Sequence, residues 1–299
     1  MYVLTGSIVA LVTPMDADGS IAWQSLFDLI DWHVDSGTAG IVFVGTTGES
    51  ATIDVSEHVQ IIKQASEYAE GRIQIIAGTG ANSTKEAVYL TSAAKKAGAD
   101  ACLLVTPYYN KPTQLGLVAH YKQIANEVDI PQILYNVPGR TGCDLLSEAV
   151  FELSEETNIV GLKDATGDLN RLEELKKGLV DKLNKNLFFL YSGDDPTATQ
   201  FILNGGAGTI SVTANVVPER ISKICELALN GAEKKSMELN DELTALNSAL
   251  FIESNPIPVK WVLNRLGRIP LGIRLPLTIL ETKHHNNLEL ILKELSLLN

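Results

Sequence analysis

One lysine stands near the end of a short apolar run whose spacing could support imine chemistry. The run spans residues 159–165 and reads IVGLKDA, with Lys163 as its single basic residue. Side chains of a β-strand alternate between two faces, so Ile159, Gly161 and Lys163 should share one side. If both faces are covered, burial lowers the lysine pKa and leaves a neutral amine that can attack a ketone. The alternative is a lysine that marks a strand end and extends its ammonium group into solvent.

A turn of small and hydroxyl-bearing residues, GTTGES at residues 45–50, follows an earlier apolar run. Its backbone N–H groups and the hydroxyls of Thr46 and Thr47 could bind a carboxylate. It is not a phosphate-binding P-loop, because no lysine follows its second glycine. The simpler interpretation is a tight strand-to-helix turn, and the local sequence leaves both interpretations open.

Tyr135 and Arg140 stand at and just beyond the end of a third run. Tyr135 is two residues from Ile133, so both should point to the interior side of a strand. Tyr135 could relay protons between a substrate and Lys163, or it could be a core aromatic residue with a satisfied hydroxyl. Arg140 could clamp a carboxylate through two hydrogen bonds, or it could form a surface ion pair.

These residues are attached to apolar runs that recur along the chain. Eight runs rich in Val, Ile, Leu and Phe lie at residues 7–12, 40–45, 73–78, 101–106, 132–137, 159–163, 187–192 and 208–212. Segments with helical periodicity alternate with them, for instance residues 54–71, where Asp54 and Glu57 form a capping-box pattern. We predict an α/β fold, a (β/α)8 TIM barrel, with its active site at the carboxyl ends of the strands. An open doubly wound sheet is the alternative, but no G-x-G-x-x-G follows the first run.

The alternation of strands and helices ends near residue 231. Helical patterns follow at residues 232–251, 256–266 and 288–298, without further apolar strands. We therefore predict a catalytic barrel at residues 1–231 and a C-terminal helical extension at residues 232–299. No low-complexity linker separates the two parts, so we expect the extension to pack on the barrel.

The composition excludes several classes of function. The 299 residues carry a formal net charge of −12 and the pI is ≈ 4.9, which argues against nucleic acid or an anionic membrane surface as partner. No window of about 18–20 apolar residues predicts a transmembrane helix, and the start, MYVLTG, lacks the basic region of a signal peptide. Three widely spaced cysteines indicate free thiols in a reducing compartment, so we expect the cytoplasm. None of the five histidines ends a strand, so no metal site is predicted.

Several motifs resemble those of a known family. They are GTTGES at residues 45–50, YNVPGRTG at 135–142 and GLKD at 161–164, with further matches at GSIVA (6–10), VTPYYN (105–110) and NPIPVKW (255–261). Over nearly its whole length the chain is similar to the pyruvate-dependent class I aldolases, and within them to the dihydrodipicolinate synthase family. The resemblance implies a carbon–oxygen lyase without a cofactor. Its reaction would condense pyruvate with L-aspartate 4-semialdehyde to 4-hydroxy-tetrahydrodipicolinate, the first committed step of lysine and diaminopimelate biosynthesis.

The resemblance also implies roles for individual residues. Lys163 would form the imine with pyruvate, while Tyr135, Thr46 and Tyr109 would form a proton relay. The residue matching Tyr109 crosses from a neighbouring subunit, which implies a dimer and usually a homotetramer built as a dimer of dimers. The residues implied to bind substrate are Thr47 at the pyruvate carboxylate, Arg140 at the carboxylate of the semialdehyde, and Gly193 and Ile210, which line the pocket with their backbone.

A second site is implied by the same resemblance. Family members inhibited by L-lysine bind it at a dimer interface, and the matching positions here are Ser50, Ala51, His58, Asn82, Glu86 and Tyr108. Glu86 is the natural partner of the lysine ammonium group, although a solvated charge near a helix start is the simpler interpretation. Val55 stands where one form of the enzyme has a histidine, so the strength of feedback by L-lysine is left open.

Other functions remain as alternatives. Within the superfamily, an N-acetylneuraminate lyase or another keto-deoxy sugar acid lyase would share Lys163, Tyr135 and the turn at residues 45–50. Arg140 favours the synthase, because a charged clamp suits a short semialdehyde better than a polyol tail. A non-catalytic binding protein should lack the lysine or a relay group, and none is missing. A sugar-phosphate enzyme needs a glycine-rich grip after strands seven and eight, whereas GGAG at residues 205–208 precedes strand eight.

Overall fold

A closed barrel of eight parallel strands forms the centre of the molecule. The computed structural model describes residues 3–298. The strands are β1 (Gly6–Ala10), β2 (Gly40–Phe43), β3 (Gln74–Gly78), β4 (Ala101–Val105), β5 (Gln132–Asn136), β6 (Ile159–Asp164), β7 (Phe189–Ser192) and β8 (Gly208–Ser211). Neighbours pair in sequence order, and β8 pairs with β1 to close the sheet. The predicted (β/α)8 TIM barrel is therefore confirmed.

Helices connect the strands and cover the outside of the barrel. They are α1 (Trp23–Asp35), α2 (Val55–Ala69), α3 (Thr84–Lys96), α4 (Gln114–Glu127), α5 (Pro138–Thr141), α6 (Ser147–Leu153), α7 (Leu169–Gly178), α8 (Val180–Asn184), α9 (Ala198–Leu203) and α10 (Pro218–Leu229). Short 3-10 helices lie at Asp195–Thr197, Thr213–Asn215 and Thr282–His284. The predicted capping box opens α2, where Glu57 Oε2 accepts a hydrogen bond from the Asp54 N–H at 3.3 Å.

Four further helices follow the barrel. They are α11 (Glu233–Asp241), α12 (Thr244–Ala249), α13 (Ile257–Arg265) and α14 (His285–Glu294). Leu246, Val262 and Leu288 of this extension belong to the same buried apolar cluster as Ile30 of α1 and Ile61 of α2, so the extension packs directly on the barrel. One buried cluster contains residues from both sides of residue 231, so the core itself does not mark a boundary there. The division of the chain into two parts after residue 231 therefore stays a prediction. The outermost residues of the two predicted parts, 1, 2 and 299, lie outside the described residues.

Side chains from the strands themselves fill the interior of the barrel. The buried interior cluster includes Ile8, Val42, Leu103, Ile133 and Tyr135. Strands that are apolar on both faces bury one face in this interior and the other under the helices. The predicted inward direction of Tyr135 is therefore confirmed.

The register of β5 against β6 shifts at one point. Ile159 opposes Gln132, while Gly161 opposes the next residue of β5, which leaves Val160 as an extra residue in a bulge. Ile159 consequently packs in the cluster between the sheet and the outer helices, whereas Lys163 points into the barrel. The prediction that Ile159 shares a face with Lys163 is wrong, because the bulge breaks the two-residue alternation.

All three cysteines are free thiols, with Cys102 and Cys225 buried and Cys143 partly buried. Within residues 3–298, no helix is long and apolar enough to cross a membrane. The same part of the chain contains no group of three or more His, Cys, Asp or Glu side chains that could hold a metal ion.

Candidate active site

Lys163 of β6 and Tyr135 of β5 lie in contact inside the barrel. The two residues are directly opposite in the parallel register, and both side chains are buried. Nζ of Lys163 lies 4.3 Å from the centroid of the Tyr135 ring. Burial is the main reason that the pKa of Lys163 is lowered to about 8; the charge of Asp195 opposes this shift and that of Arg140 adds to it. The predicted burial of Lys163 is present, and its amine loses its proton far more readily than that of an exposed lysine.

A glycine beside Lys163 makes room for its side chain. Gly193 follows β7, and a Cβ atom at this position would lie 2.7 Å from Cε of Lys163 and 2.8 Å from Cβ of Ala165. These distances are shorter than real Cβ contacts, so a larger residue would displace the lysine. The Gly193 N–H also donates to the carbonyl oxygen of Asp164 at 2.7 Å, which ties the end of β7 to β6.

The structure brings together three of the four predicted catalytic residues, Lys163, Tyr135 and Thr46. Burial raises the pKa of Tyr135, and this shift is partly offset by the charge of Arg140 and a hydrogen bond with the Thr46 side chain. Tyr109 does not reach this group within one chain. Its side chain is 90% exposed, its backbone has a φ of 76°, and its N–H donates to the Thr141 carbonyl at 3.3 Å. The side chain thus points away from the barrel that carries it.

The turn at residues 45–50 is fixed by hydrogen bonds within the turn and from residues elsewhere in the chain. The Glu49 N–H donates to the Thr46 carbonyl at 3.1 Å, and Oγ1 of Thr13 donates to the Gly48 carbonyl at 2.7 Å. Thr47 is buried, and its Oγ1 accepts a hydrogen bond from Nδ2 of Asn255 at 2.9 Å. The turn thus presents its threonines to the carboxyl end of the barrel in a fixed arrangement.

Two neighbouring cavities with shared lining residues lie at this end of the barrel. The inner one, of about 130 Å³, is lined by Thr46, Thr47, Tyr135, Arg140, Lys163 and Gly193 among others. The outer one, of about 350 Å³, shares Thr46, Val137, Arg140 and Asn255 with it. Of the residues predicted to bind substrate, Ile210 does not line either cavity. It belongs to the interior cluster of the barrel and is 1% exposed.

Arg140 stands where the two cavities meet. It lies in the short helix α5, and its Nη2 donates to the carbonyl oxygen of Asn255 at 3.3 Å. Asn255 comes from the C-terminal extension and thereby contacts both Thr47 and Arg140. The sequence predicts no role for Asn255, whose only signal is its place in the NPIPVKW motif.

Three of the six residues of the predicted lysine site line the outer cavity. Ser50, Ala51 and Tyr108 line it. Nδ2 of Asn82 donates to the Tyr108 carbonyl at 3.2 Å, and the negative charge of Glu86 adds to the effect of burial in raising the pKa of Tyr108. His58 is buried below them, where burial lowers its pKa to about 4. Val55 is exposed as the first residue of α2.

Similarity to known proteins extends over nearly the whole chain. A model of the dihydrodipicolinate synthetase family matches residues 3–295. A 4-hydroxy-tetrahydrodipicolinate synthase from Pseudomonas aeruginosa is 56% identical over 295 residues, which cover 99% of each chain. The crystal structure of chloride-inhibited dihydrodipicolinate synthase from Acinetobacter baumannii complexed with pyruvate has a TM-score of 0.95 at 52% identity, with 99% of this chain and 100% of that chain covered. The enzyme from Cyanidioschyzon merolae with lysine bound has a TM-score of 0.94 at 35% identity, with the same coverage.

Proposed function

The chain belongs to the dihydrodipicolinate synthetase family, and we infer that it condenses pyruvate with L-aspartate 4-semialdehyde to 4-hydroxy-tetrahydrodipicolinate. This is the first committed step of lysine and diaminopimelate biosynthesis. The observation that carries the function is the buried amine of Lys163, which lies against Tyr135 in a cavity large enough for pyruvate. A lysine with a lowered pKa in such a cavity is the nucleophile that imine formation requires.

The reaction follows from this amine. Nζ of Lys163 attacks the keto carbon of pyruvate, and loss of water gives an imine. Loss of a methyl proton converts the imine to an enamine, whose terminal carbon adds to the aldehyde carbon of the semialdehyde. The amino group of the added unit then attacks the imine carbon, displaces Lys163 by transimination and closes the ring. Lys163 is released as a free amine, ready for the next pyruvate.

We assign proton transfer to Tyr135, Thr46 and Tyr109. Because burial raises the pKa of Tyr135, its hydroxyl stays protonated and can donate to the oxygen that leaves as water. Its hydrogen bond with Thr46 offers a path for returning the proton. Tyr109 would complete the path from a neighbouring subunit, and its 90% exposure supports this assignment. We accordingly propose a homotetramer, a dimer of dimers, as the active form.

Substrate binding is divided between the two cavities. Thr47 in the inner cavity would hold the pyruvate carboxylate with its N–H and hydroxyl, while Gly193 leaves space beside Lys163. Arg140, where the cavities meet, would bind the carboxylate of the semialdehyde as it enters. Ile210 would act only through its backbone, from beneath the cavity.

We propose that L-lysine inhibits the enzyme at the site of Ser50, Ala51, His58, Asn82, Glu86 and Tyr108. A relative has been crystallised with lysine bound, and Glu86 offers a carboxylate for an ammonium group near Tyr108. Val55, at the position where one form of the enzyme has a histidine, has an apolar side chain that offers no hydrogen bond to the ligand. The three free thiols support a reducing compartment, and we propose the cytoplasm.

The synthase is favoured over a sugar acid lyase of the same superfamily. Relatives with more than half of their residues identical to this chain carry the synthase name. The positive charge of Arg140 at the junction of the cavities also suits a carboxylate better than a polyol.

The test is pyruvate consumption with L-aspartate 4-semialdehyde as acceptor, with and without added L-lysine. We expect turnover, and we expect L-lysine to reduce it. Borohydride with pyruvate should add one reduced pyruvyl group to the wild type and none to Lys163→Ala. No turnover together with positive trapping would shift the assignment to a sugar acid lyase, and trapping on another lysine would contradict the role of Lys163.

A further inference from the structure

A second lysine is as deeply buried as Lys163 but is paired with a carboxylate. Lys260 lies on α13 of the C-terminal extension, and its Nζ donates to Oε1 of Glu49 in the turn at residues 45–50. The side chains of Lys260 and Glu49 are 3% and 0% exposed. Removing two charges from water is costly, and a buried ion pair is often no more stabilising than apolar residues of the same volume. This pair therefore calls for an explanation other than stability.

Glu49 is bound by the extension through both carboxylate oxygens. Oε1 accepts from Lys260, and Oε2 accepts from the backbone N–H of Arg274 at 3.1 Å. The backbone of Glu49 has a φ of 59°, a left-handed conformation that a residue with a side chain adopts only when its surroundings impose it. The Glu49 N–H donates to the Thr46 carbonyl at 3.1 Å, so the position of Glu49 is transmitted to Thr46.

The extension also contacts the turn at a second point, two residues away. Asn255 precedes α13 and donates from Nδ2 to Oγ1 of Thr47 at 2.9 Å. Residues 47 and 49 of the turn are thus both attached to the segment that carries Lys260. Neither Lys260 nor Arg274 lines a cavity described above, so their effect on a substrate must pass through the turn.

From these contacts we propose that the Glu49–Lys260 ion pair is a positioning device for the reaction, which sets Thr46 and Thr47 at the distance from Lys163 that pyruvate binding needs. Both are positioning residues: Lys260 lines neither cavity, and Glu49, although it lines the outer cavity, has a side chain that is 0% exposed and bound to Lys260. The C-terminal extension, by this inference, is part of the pyruvate site and not only a cover for the barrel. The inference rests on the proposed role of Thr47 in holding the pyruvate carboxylate.

The pair also distinguishes the two buried lysines by their geometry, because Nζ of Lys260 is bound to Glu49 and faces neither cavity, whereas Lys163 lines the inner one. Burial lowers the pKa of Lys260, and the charge and hydrogen bond of Glu49 only partly offset this shift. Lys163 has no hydrogen-bonded carboxylate partner among the described residues. The paired lysine anchors the turn, and the unpaired one attacks the ketone.

The test compares four changes in the full-length protein. Glu49→Asp keeps the charge but shortens the reach, Glu49→Gln and Lys260→Met each remove one charge, and Glu49→Gln/Lys260→Met removes both. Glu57→Gln is the control, because Glu57 binds the guanidinium of the same Arg274 but lies outside the turn. The KM and kcat for pyruvate, the KM for the semialdehyde and the melting temperature are measured for each.

We expect Glu49→Asp to raise the KM for pyruvate about tenfold or more, because a shift of about 1 Å in a positioning group has effects of this size. The KM for the semialdehyde and the kinetics of Glu57→Gln should stay within about twofold of the wild type. The double variant, which leaves no unpaired charge, should regain the melting temperature lost by the single variants but not the affinity for pyruvate.

The inference would be overturned if Glu49→Asp and the double variant had the same KM and kcat for pyruvate as the wild type. The ion pair would then be a purely structural contact. Full recovery of pyruvate affinity in the double variant would overturn the inference as well, since charge balance alone would then suffice. Borohydride trapping of pyruvate by the wild type is run alongside. If the wild type fails to trap pyruvate, the proposed function itself is contradicted. If the wild type traps pyruvate but the Glu49 and Lys260 variants keep wild-type pyruvate kinetics, only the positioning role is contradicted.

Discussion

The amine of Lys163 lies over the ring of Tyr135, with 4.3 Å between Nζ and the ring centroid, and burial moves the proton affinities of the two groups in opposite directions. It lowers the pKa of Lys163 to about 8 and raises that of Tyr135. One site therefore holds a readily deprotonated amine beside a phenol that keeps its proton. Separated pKa values of this kind allow neighbouring groups to act as nucleophile and proton donor at the same pH.

The first prediction concerns the pH dependence of imine formation. Only the neutral amine attacks pyruvate, so the rate of borohydride trapping should rise as the pH increases through about 8 and level off above it. Arg140→Gln removes a charge that lowers the Lys163 pKa, so the rising limb should move to higher pH in that variant. If the trapping rate of the wild type rose only near the pKa of an exposed lysine, the lowering of the Lys163 pKa by burial would be contradicted.

The second prediction concerns the clamp at the junction of the cavities. Arg140→Ala should raise the KM for the semialdehyde about ten- to a hundredfold, because a hydrogen-bonded charge pair with its carboxylate is lost. The KM for pyruvate should change much less. Steady-state kinetics with each substrate varied in turn make the comparison, with Arg140→Lys as the variant that keeps charge but not the forked geometry. Equal losses for the two substrates would show that Arg140 is not a clamp for the semialdehyde.

The third prediction concerns Tyr109, whose side chain points away from its own barrel. If a partner subunit supplies this tyrosine, Tyr109→Phe and Lys163→Ala should complement each other. A mixed dimer of the two variants would contain one fully wild-type site, because the chain with Lys163 receives Tyr109 from the other.

The measurement is the activity of the two inactive or weakened variants after mixing and subunit exchange, compared with each alone. Recovery supports relay from the partner. Mass measurements verify that the subunits have exchanged. If the mixture is then no more active than the sum of the two variants, Tyr109 either acts within its own chain or takes no part in the reaction.

The fourth prediction concerns acid stability. His33, His58 and His120 are buried, burial lowers their pKa values from 6.5 to about 3, 4 and 4, and Nε2 of each has no hydrogen-bond partner among the described residues. Above pH 6.5 these imidazoles are neutral in both states and have no effect. As the pH falls from 6.5 towards the lowered values, the unfolded chain takes up protons first, and stability is lost.

Each of these histidines should therefore lower the free energy of unfolding by up to about 2 kcal/mol between pH 7 and about pH 5. Urea titrations at the two pH values measure the loss. His33→Gln, at the most strongly shifted site, should reduce the difference between the two pH values even if it lowers stability at both. An unchanged pH difference in this variant would exclude His33 as a source of the acid sensitivity.

Local sequence patterns were sufficient to predict much of the fold and part of the site. The apolar runs and their spacing predicted the strands, and the two-residue alternation predicted that Tyr135 points inward. Burial of Lys163 was expected only if both faces of its strand are covered, as they are in the structure. The alternation failed at Ile159, because a single extra residue in a bulge reverses the faces and leaves no mark in composition. The family resemblance implied Gly193 only as a backbone position that lines the pocket, and its steric reason, the 2.7 Å that a Cβ would leave to Cε of Lys163, required coordinates.

The sequence by itself determined which reactive side chains are present and which strands carry them, since burial and alternation are properties of short segments. Only the tertiary structure decided which groups meet. Asn255 binds Thr47 across 208 positions and Lys260 binds Glu49 across 211, and nothing in the local sequence of either segment specifies the other. The physical reason is that such contacts depend on how the C-terminal extension packs against the barrel, which the core of the whole chain determines.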